Sequence, residues 1–417
     1  MKISPDRTFV TFPRLQRDPQ SAGGDLVTIC NPYMGLGVAL TPGALELLEF
    51  FEGGATLADV VEASDLDEER AQHLLEPLTD NYILVPADDL EWLLHGVCAK
   101  VQRPVGTYTR VTDLDELPKT PAFAVFGVPL DLGGVYGARF GPEAVRNALP
   151  KLSLRSQGDD QSRVLLDFEN ERCFHELPLV IDLGDVRYHP GESLETIGKR
   201  IAFVIRETRA RGIVPLMIGG DHAWTHFTLA ELARAGEDFG IIHFDAHHDM
   251  YPDAHGRLNH ANTFLGILES DHLKVLHQIG LRTLQLPDDR SVLHGDPRVQ
   301  FTSARRARTM SAQDVLASLP RDIPYYVSFD VDCMDVDETG SPVIGGLSYY
   351  DGLELFEHIG KTFDIIGADF MEVAGEGRPH NRGAELTGRY LFELIVGKQT
   401  SHPLRDYIGR IETKRPF

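Results

Sequence analysis

The sequence predicts an α/β fold built on a central parallel sheet, preceded by a small α+β module. Three observations predict it. Short, nearly continuous apolar runs recur between residues 213 and 371, too brief for buried helices and each ended by polar residues. Helical spacing with capping residues recurs through residues 41–78, flanked by strand-like segments. A proline-bearing, acidic stretch over 100–121 separates the two patterns.

Taken in order, residues 25–29 read as a strand. Thr41 and Pro42 open a helical pattern that places Leu45, Leu48 and Phe51 on one face and ends at Gly53 and Gly54. Leu57, Val60 and Val61 mark a second short helix. Asp67 caps a third, with Leu74, Leu75 and Leu78 facing inward. Residues 82–85 return as a strand. Three helices with flanking strands make a winged-helix type of module over 1–99, with 100–121 as linker and 122–417 as the larger domain. In that domain, residues 213–218, 239–244, 325–329 and 365–371 read as buried parallel strands.

The chemistry gathers where those strands end. Gly219-Gly220-Asp221-His222, Asp245-Ala246-His247-His248-Asp249, His260-Ala261-Asn262-Thr263-Phe264 and Ser328-Phe329-Asp330-Val331-Asp332-Cys333 carry it, and in open α/β sheets ligands bind beyond the carboxyl ends of strands. Asp245, His247 and Asp249 sit at i, i+2 and i+4, and Asp330 and Asp332 at i and i+2. In extended chain, alternate side chains point the same way, so each run can aim its ligands at one point provided the backbone is extended there. With His222, these residues suit a two-metal cluster. Carboxylates with a few imidazoles favour Mn²⁺, and less well Zn²⁺ or Fe²⁺. No cysteine stands at ligand spacing, which argues against structural zinc. Clustered carboxylates would repel one another without such ions. His248 faces the other side of an extended run and reads as structural. His226 reads as helix-surface or core.

These residues carry a resemblance to the ureohydrolases, the family of arginase and agmatinase, over roughly residues 120–400. It extends through Gly127-Val128-Pro129, Gly141-Pro142-Glu143-Ala144-Val145-Arg146, Asp182-Leu183-Gly184-Asp185, the four segments above, residues 340–347 and Asp369-Phe370-Met371-Glu372-Val373. The resemblance implies a three-layer arginase-like fold and two Mn²⁺ held by His222, Asp245, His247, Asp249, Asp330 and Asp332. It implies hydrolysis of a guanidinium to an amine and urea, with His260 as proton shuttle, Glu372 pairing with the guanidinium and Asp249 among the catalytic residues. Guanidinium is always charged and a poor electrophile, so a metal-generated nucleophile and an orienting carboxylate fit that reaction independently. Arginases carry an asparagine two residues after the last aspartate of the first run. Here that position is Tyr251, as in agmatinase-like members, so Tyr251 and the nearby Asn262 become candidate substrate-binding residues and free arginine is disfavoured. Ala261 stands where the family usually has glycine.

Composition bounds the remainder. The chain has 417 residues, 42% hydrophobic and 25% charged, which is ordinary for a soluble two-domain protein. No apolar run is long enough to span a membrane, no apolar signal segment opens the chain, and four scattered cysteines suggest a reducing, cytoplasmic setting. A net charge of −23 disfavours nucleic acid and anionic membranes and favours cationic substrates. Residues 1–98 hold 5 Lys and Arg against 17 Asp and Glu, hence −12, which argues against a DNA-binding winged helix. The module's order of elements over residues 8–88 resembles PqqD-like peptide-recognition elements, which add a leader peptide as an extra strand. Joined, the halves imply a peptide arginase: a precursor peptide held by its leader, and an arginine side chain converted to ornithine. The alternatives are a small-molecule amidinohydrolase of the agmatinase or guanidinobutyrate kind, a hydrolase of another amidine, and a catalytically silent binding protein. The family resemblance further implies a homo-oligomer.

Overall fold

The computed structural model describes residues 6–12, 15–17, 26–31, 36–64, 66–81, 83–90, 109–110, 122–132, 137–148, 164–188, 192–253, 255–284, 295–374 and 381–405. The chain divides into two compact units, Met1–Cys98 and Ala99–Phe417.

In the first unit the elements run β1 (Phe9–Thr11), β2 (Gln16–Arg17), β3 (Val27–Asn31), β4 (Leu36–Leu40), α1 (Pro42–Phe50), α2 (Leu57–Ala63), α3 (Glu68–Asp80) and β5 (Leu84–Pro86). β1 pairs antiparallel with β5, and β2, β3 and β4 form a second antiparallel sheet in that order. The helices begin where side chains satisfy free backbone N–H groups. Thr41 accepts from Ala44 N, Thr56 and Asp59 cap one another reciprocally, and Asp67 accepts from Arg70 N. Leu48, Phe51, Leu57, Val60, Leu75, Leu78, Ile83 and Leu84 form the core of this unit. Leu74 departs from expectation: it is 39% exposed, because its place on the helix lies beside the stripe set by Ala71, Leu75 and Leu78. The strand expected at 25–29 is shifted to Val27–Asn31, and its hairpin partner β4 was not anticipated. Asp25 and Tyr82 lie outside the described residues.

The second unit carries β6 (Thr109–Arg110), β7 (Ala122–Val128), β8 (Leu165–Asp167), β9 (Arg172–Phe174), β10 (Leu179–Asp185), β11 (Ile213–Gly219), β12 (Phe239–Phe244), β13 (Leu273–Leu281), β14 (Val299–Ser303), β15 (Tyr325–Asp330), β16 (Ile365–Met371) and β17 (His402–Pro403). The central sheet runs β14-β13-β12-β15-β16-β11-β7-β10-β6, and every neighbouring pair is parallel. β6 falls inside the expected linker and joins the sheet edge instead; the rest of 100–121 lies outside the described residues. Helices cover the sheet to give the three-layer α/β fold. Tyr349–Thr362 packs on Arg382–Val396, which also meets Gly141–Ala148, and Leu194–Ala210 packs on Thr225–Ala235.

β12 and β15 are buried over their whole lengths, which is why they read as unbroken apolar runs rather than alternating ones. Under them Phe244, Phe329, Phe356, Phe370 and Tyr390 interlock, with Phe356 and Tyr390 stacked at 4.9 Å. Two buried ion networks tie the periphery. Arg146 reaches Asp182 and Asp185, and Arg172 and Arg389 share Asp167 and Glu393. At the end of β11 the backbone runs so close to a neighbouring loop that a Cβ on Gly220 would sit 2.1 Å from the Leu130 carbonyl oxygen, so glycine is required there. Among the described residues no helix is long and apolar enough to cross a membrane.

Candidate metal centre

Four adjacent strands, in the order β12, β15, β16 and β11, end at one place. β11 delivers Asp221 and His222, β12 delivers Asp245, His247 and Asp249, β15 delivers Asp330 and Asp332, and β16 delivers Glu372. All are buried except His247, whose side chain is 28% exposed.

Asp245 stands between two histidines. Its Oδ2 lies 3.4 Å from His222 Nδ1, and its Oδ1 lies 3.3 Å from His247 Nδ1. His222 Nδ1 also faces Asp249 Oδ2 and Asp330 Oδ2, each at 3.2 Å. His247 Nδ1 faces Asp332 Oδ2 at 3.0 Å. The six residues therefore divide into two groups that share Asp245.

The backbone reaches this arrangement by a route other than the expected extended runs. β12 stops at Phe244, and Asp245 Oδ1 accepts from His247 N at 2.5 Å. Asp330 closes β15, its Oδ1 accepts from Asp332 N at 2.8 Å, and Val331–Cys333 is a single 3-10 turn. A short aspartate that bonds the backbone two residues on turns the chain, which is what breaks the alternation. Asp249 and Glu372 have φ of 52° and 61°, in the left-handed region that costs a side-chain-bearing residue energy. Such strain persists only where the surroundings impose it, and it clusters at functional sites.

The charges inside the cluster are unbalanced. Burial, then the neighbouring Asp245 carboxylate, pushes Asp249 up to about 7 and Asp332 up to about 6. Burial and the Asp332 and Asp245 charges also raise Asp330 well above the carboxylate range. Burial opposes charge on His247, but Asp245 and Asp332 outweigh it and lift the imidazole to about 11. His222 Nδ1 is buried and makes no hydrogen bond, although three carboxylate oxygens surround it. Two imidazole nitrogens and several carboxylate oxygens converging in a buried space form a donor set that fits a pair of divalent cations.

The layer behind these residues contains groups that sequence reasoning missed. His243, in β12, lies 3.1 Å from Asp245 Oδ2 through Nε2 and meets the geometric requirements of a ligand alongside His222, Asp245 and Asp249. Its hydrogen bonds give it another role. Gln278 Nε2 donates to the His248 carbonyl at 2.7 Å and to His243 Nδ1 at 3.0 Å. With Nδ1 accepting, the His243 proton sits on Nε2 and points at Asp245, so His243 orients that carboxylate instead of offering a lone pair. Burial holds His243 down to about 4, consistent with a neutral ring. A histidine within an apolar strand, two residues before the first aspartate, was the available signal. His248 is buried and accepts from Met250 N at 2.9 Å. His226 sits on its helix against Phe227 and Gly266.

Glu372 accepts from His222 N at 2.8 Å through Oε1, while its Oε2 is buried without a hydrogen-bond partner. Burial, then the nearby Asp221, raises this carboxyl well above its ordinary range. His260 opens a 3-10 turn, is 33% exposed, and holds Nδ1 3.9 Å from Asp221 Oδ2. The Tyr251 ring packs on His248 at a tilt of 33°, ring centres 4.1 Å apart, and the Tyr251 N–H donates to the Ala261 carbonyl. Asn262 is used differently from its expected substrate contact. Its Oδ1 accepts from Asn259 N and its Nδ2 donates to the Arg257 carbonyl, so the amide holds the loop.

The arginase family model matches residues 121–397. An agmatinase of Photorhabdus laumondii is 32% identical over 265 residues, covering 60% of this chain and 79% of that protein. A guanidinopropionase of Pseudomonas aeruginosa is 31% identical over 291 residues, covering 67% of this chain and 87% of that one. Among solved structures, a hypothetical agmatinase from Burkholderia thailandensis matches with a TM-score of 0.57 at 28% identity, over 74% of this chain and 93% of its own. The proclavaminate amidino hydrolase of Streptomyces clavuligerus matches with a TM-score of 0.58 at 24% identity, over 71% of this chain and 97% of its own, and at that identity the likeness is one of fold.

Proposed function

Since this chain belongs to the arginase family and is a hydrolase of guanidino groups, we propose that it releases urea from a small guanidino compound and leaves the corresponding amine. The observation that carries the proposal is the buried pair of histidine-carboxylate groups joined through Asp245, with the unpartnered Oε2 of Glu372 beside them. His222, Asp249 and Asp330 would hold one divalent ion, His247 and Asp332 the other, and Asp245 both. Bound there, the ions, Mn²⁺ by the chemistry of the donors, would lower the pKa of water at the site.

The chain's own residues supply the rest. Glu372 Oε2 receives the guanidinium, and pairing two charges in a buried site fixes the orientation of the reacting carbon. Its Oε1 bond to His222 N keeps the carboxylate from swinging away. His260, partly exposed, passes a proton to the departing amine. Tyr251, partly exposed beside His248, takes the place of a group that would read an amino-acid head, which favours substrates lacking one.

Urea release by the full Mn²⁺-loaded chain tests this, comparing agmatine, 3-guanidinopropionate, free arginine and arginine-containing peptides. Release from a small guanidine is the expected result. Release from peptide alone would replace this reading with the second one.

That second reading is peptidyl arginine as substrate, and one feature of the first unit favours it. A groove of about 1070 Å³ lies between β4 and α3, with Val38, Leu40, Ala44, Leu74 and Leu78 as its apolar lining and Asp67, Glu69, Arg70, His73 and Glu76 also lining it. An apolar groove beside a strand suits an extended peptide added to a sheet, and the unit's charge of −12 suits a basic one. Leu74→Asp would then reduce urea release from peptide and leave release from agmatine unchanged.

A further inference from the structure

Behind His222 lies a buried chain of hydroxyls that ends on a carboxylate of its own. His222 Nε2 is 2.9 Å from Ser328 Oγ, and Ser328 Oγ is 2.7 Å from Asp369 Oδ1. Asp369 Oδ2 accepts from Thr225 Oγ1 and from the Tyr326 hydroxyl, both at 2.8 Å. His222, Thr225, Tyr326, Ser328 and Asp369 are all buried at 0% exposure. Ser328 and Asp369 lie within segments noted in the sequence, but their partnership with His222, Thr225 and Tyr326 joins three separate stretches of chain.

The direction of the chain follows from counting protons. A carboxylate only accepts, and Asp369 is met by three hydroxyls, each with a single proton to give. Ser328 spends its proton on Asp369, so its oxygen can only accept from His222. A neutral His222 ring, the form that can bind a cation, then carries its proton on Nε2 and its lone pair on Nδ1. Nδ1 is the atom that faces Asp245, Asp249 and Asp330.

We propose that Ser328 and Asp369 are positioning residues that fix His222 in the tautomer able to bind metal, and so set the affinity of one metal position rather than both. This rests on the metal reading above. Without the relay, a ring facing three carboxylates would place its proton on Nδ1, where it excludes a cation. The neighbouring position has no such arrangement among the described residues: His247 is 28% exposed and its Nδ1 lies beside Asp245 and Asp332. Outer partners of metal-bound histidines typically change affinity by about 10–100-fold when removed.

The experiment is metal titration of the full-length protein and of S328A, S328T and T225V, with Mn²⁺ stoichiometry and competition against a chelator as readouts, and thermal melts of each apo protein. Two equivalents bound by the native chain establish the underlying metal reading independently of the relay. The relay is supported if S328A loses about 10–100-fold affinity for one equivalent and keeps the other, with an apo melting temperature close to native and recovery in S328T, which retains the hydroxyl. T225V, which leaves Asp369 with two donors, should lose less than S328A. Unchanged affinity for both equivalents in S328A overturns it, as does an equal loss at both. So does a loss that S328T fails to recover although it folds and melts like the native chain.

Discussion

Glu372 and His222 clasp one another across neighbouring strands. Glu372 Oε1 accepts from His222 N at 2.8 Å, while the Glu372 N–H donates to the Gly220 carbonyl at 3.0 Å. The clasp uses one carboxylate oxygen and leaves the second facing the cluster. It also accounts for the left-handed backbone of Glu372, since two bonds to the segment that follows β11 hold the residue there.

The clasp separates two roles that substitution can resolve. Glu372→Gln keeps an oxygen for His222 N and removes the charge opposite the guanidinium. Urea release should fall about 100-fold, roughly 2.7 kcal/mol of transition-state stabilisation, with metal content unchanged. Glu372→Ala removes both and should lower metal affinity as well. Steady-state kinetics beside elemental analysis distinguishes them; a Glu372→Gln enzyme with native kcat/KM defeats the assignment.

Asp245 is the residue the two groups share, so it should be unlike the others. Asp245→Asn is expected to lose both metal equivalents, whereas Asp332→Asn should keep one. Native mass spectrometry gives the count directly. Retention of one equivalent by Asp245→Asn would mean that the carboxylate does not bridge.

Removing the metal should cost stability, because the raised carboxylates then lose their countercharge. Saturation at about 100 times Kd contributes about 2.7 kcal/mol per site that binds only the folded chain. Calorimetry with chelator and with Mn²⁺ should therefore show melting temperatures several degrees apart. Coincident melts would show that no ion is held in the folded state.

His277 should give the fold an acid sensitivity independent of the metal centre. It is buried in β13, bonds Thr302 through Nε2, and burial holds it down to about 4. Between pH 6.5 and 4 the unfolded chain takes up this proton and the folded chain does not, so stability is present above 6.5 and is lost as pH falls toward 4. From pH 7 to pH 5 the loss is at most about 2 kcal/mol. Chemical denaturation of His277→Gln should show a flatter dependence over that window. An unchanged slope would place the acid sensitivity elsewhere.

Arg146 joins the helix Gly141–Ala148 to β10 through Asp182 and Asp185, and burial does not prevent the pair from raising its pKa. Arg146→Met should cost about 3–5 kcal/mol, because the buried Asp182 then loses its countercharge. Replacing Asp182 by asparagine in the same chain should recover part of it. Equilibrium unfolding measures both; an Arg146→Met chain as stable as the native one contradicts the role given to the pair.

Much of this arrangement was legible, and the part that was not has a common cause. Continuous apolar runs located β11, β12, β15 and β16, since strands buried on both faces have no reason to alternate. The helix starts at Thr41 and Asp67 could be read because capping is local chemistry. The condition of extended backbone through residues 245–249 and 330–332 is not met, because the aspartates turn their own backbone before their side chains reach the cluster. Asn262 has the residue type of a substrate contact, and only its two loop bonds show that it is used otherwise. His243 and Gln278 depend on partners 35 residues apart in the chain, which spacing within one run cannot reveal. β6 was hidden for a related reason: two residues pair by position at a sheet edge, with no pattern of their own.

The order of the sheet bears on how this protein is made. β11 and β12 follow one another along the chain, yet β15 and β16 lie between them in space. A ribosome releases His222 and Asp245 well before Asp330, Asp332 and Glu372 exist. The two early strands must therefore leave a gap two strands wide and wait for later segments to enter it. An ion captured early by His222 and Asp245 could pull those strands together and obstruct the insertion. Withholding metal until synthesis is complete should give more folded enzyme than supplying it throughout.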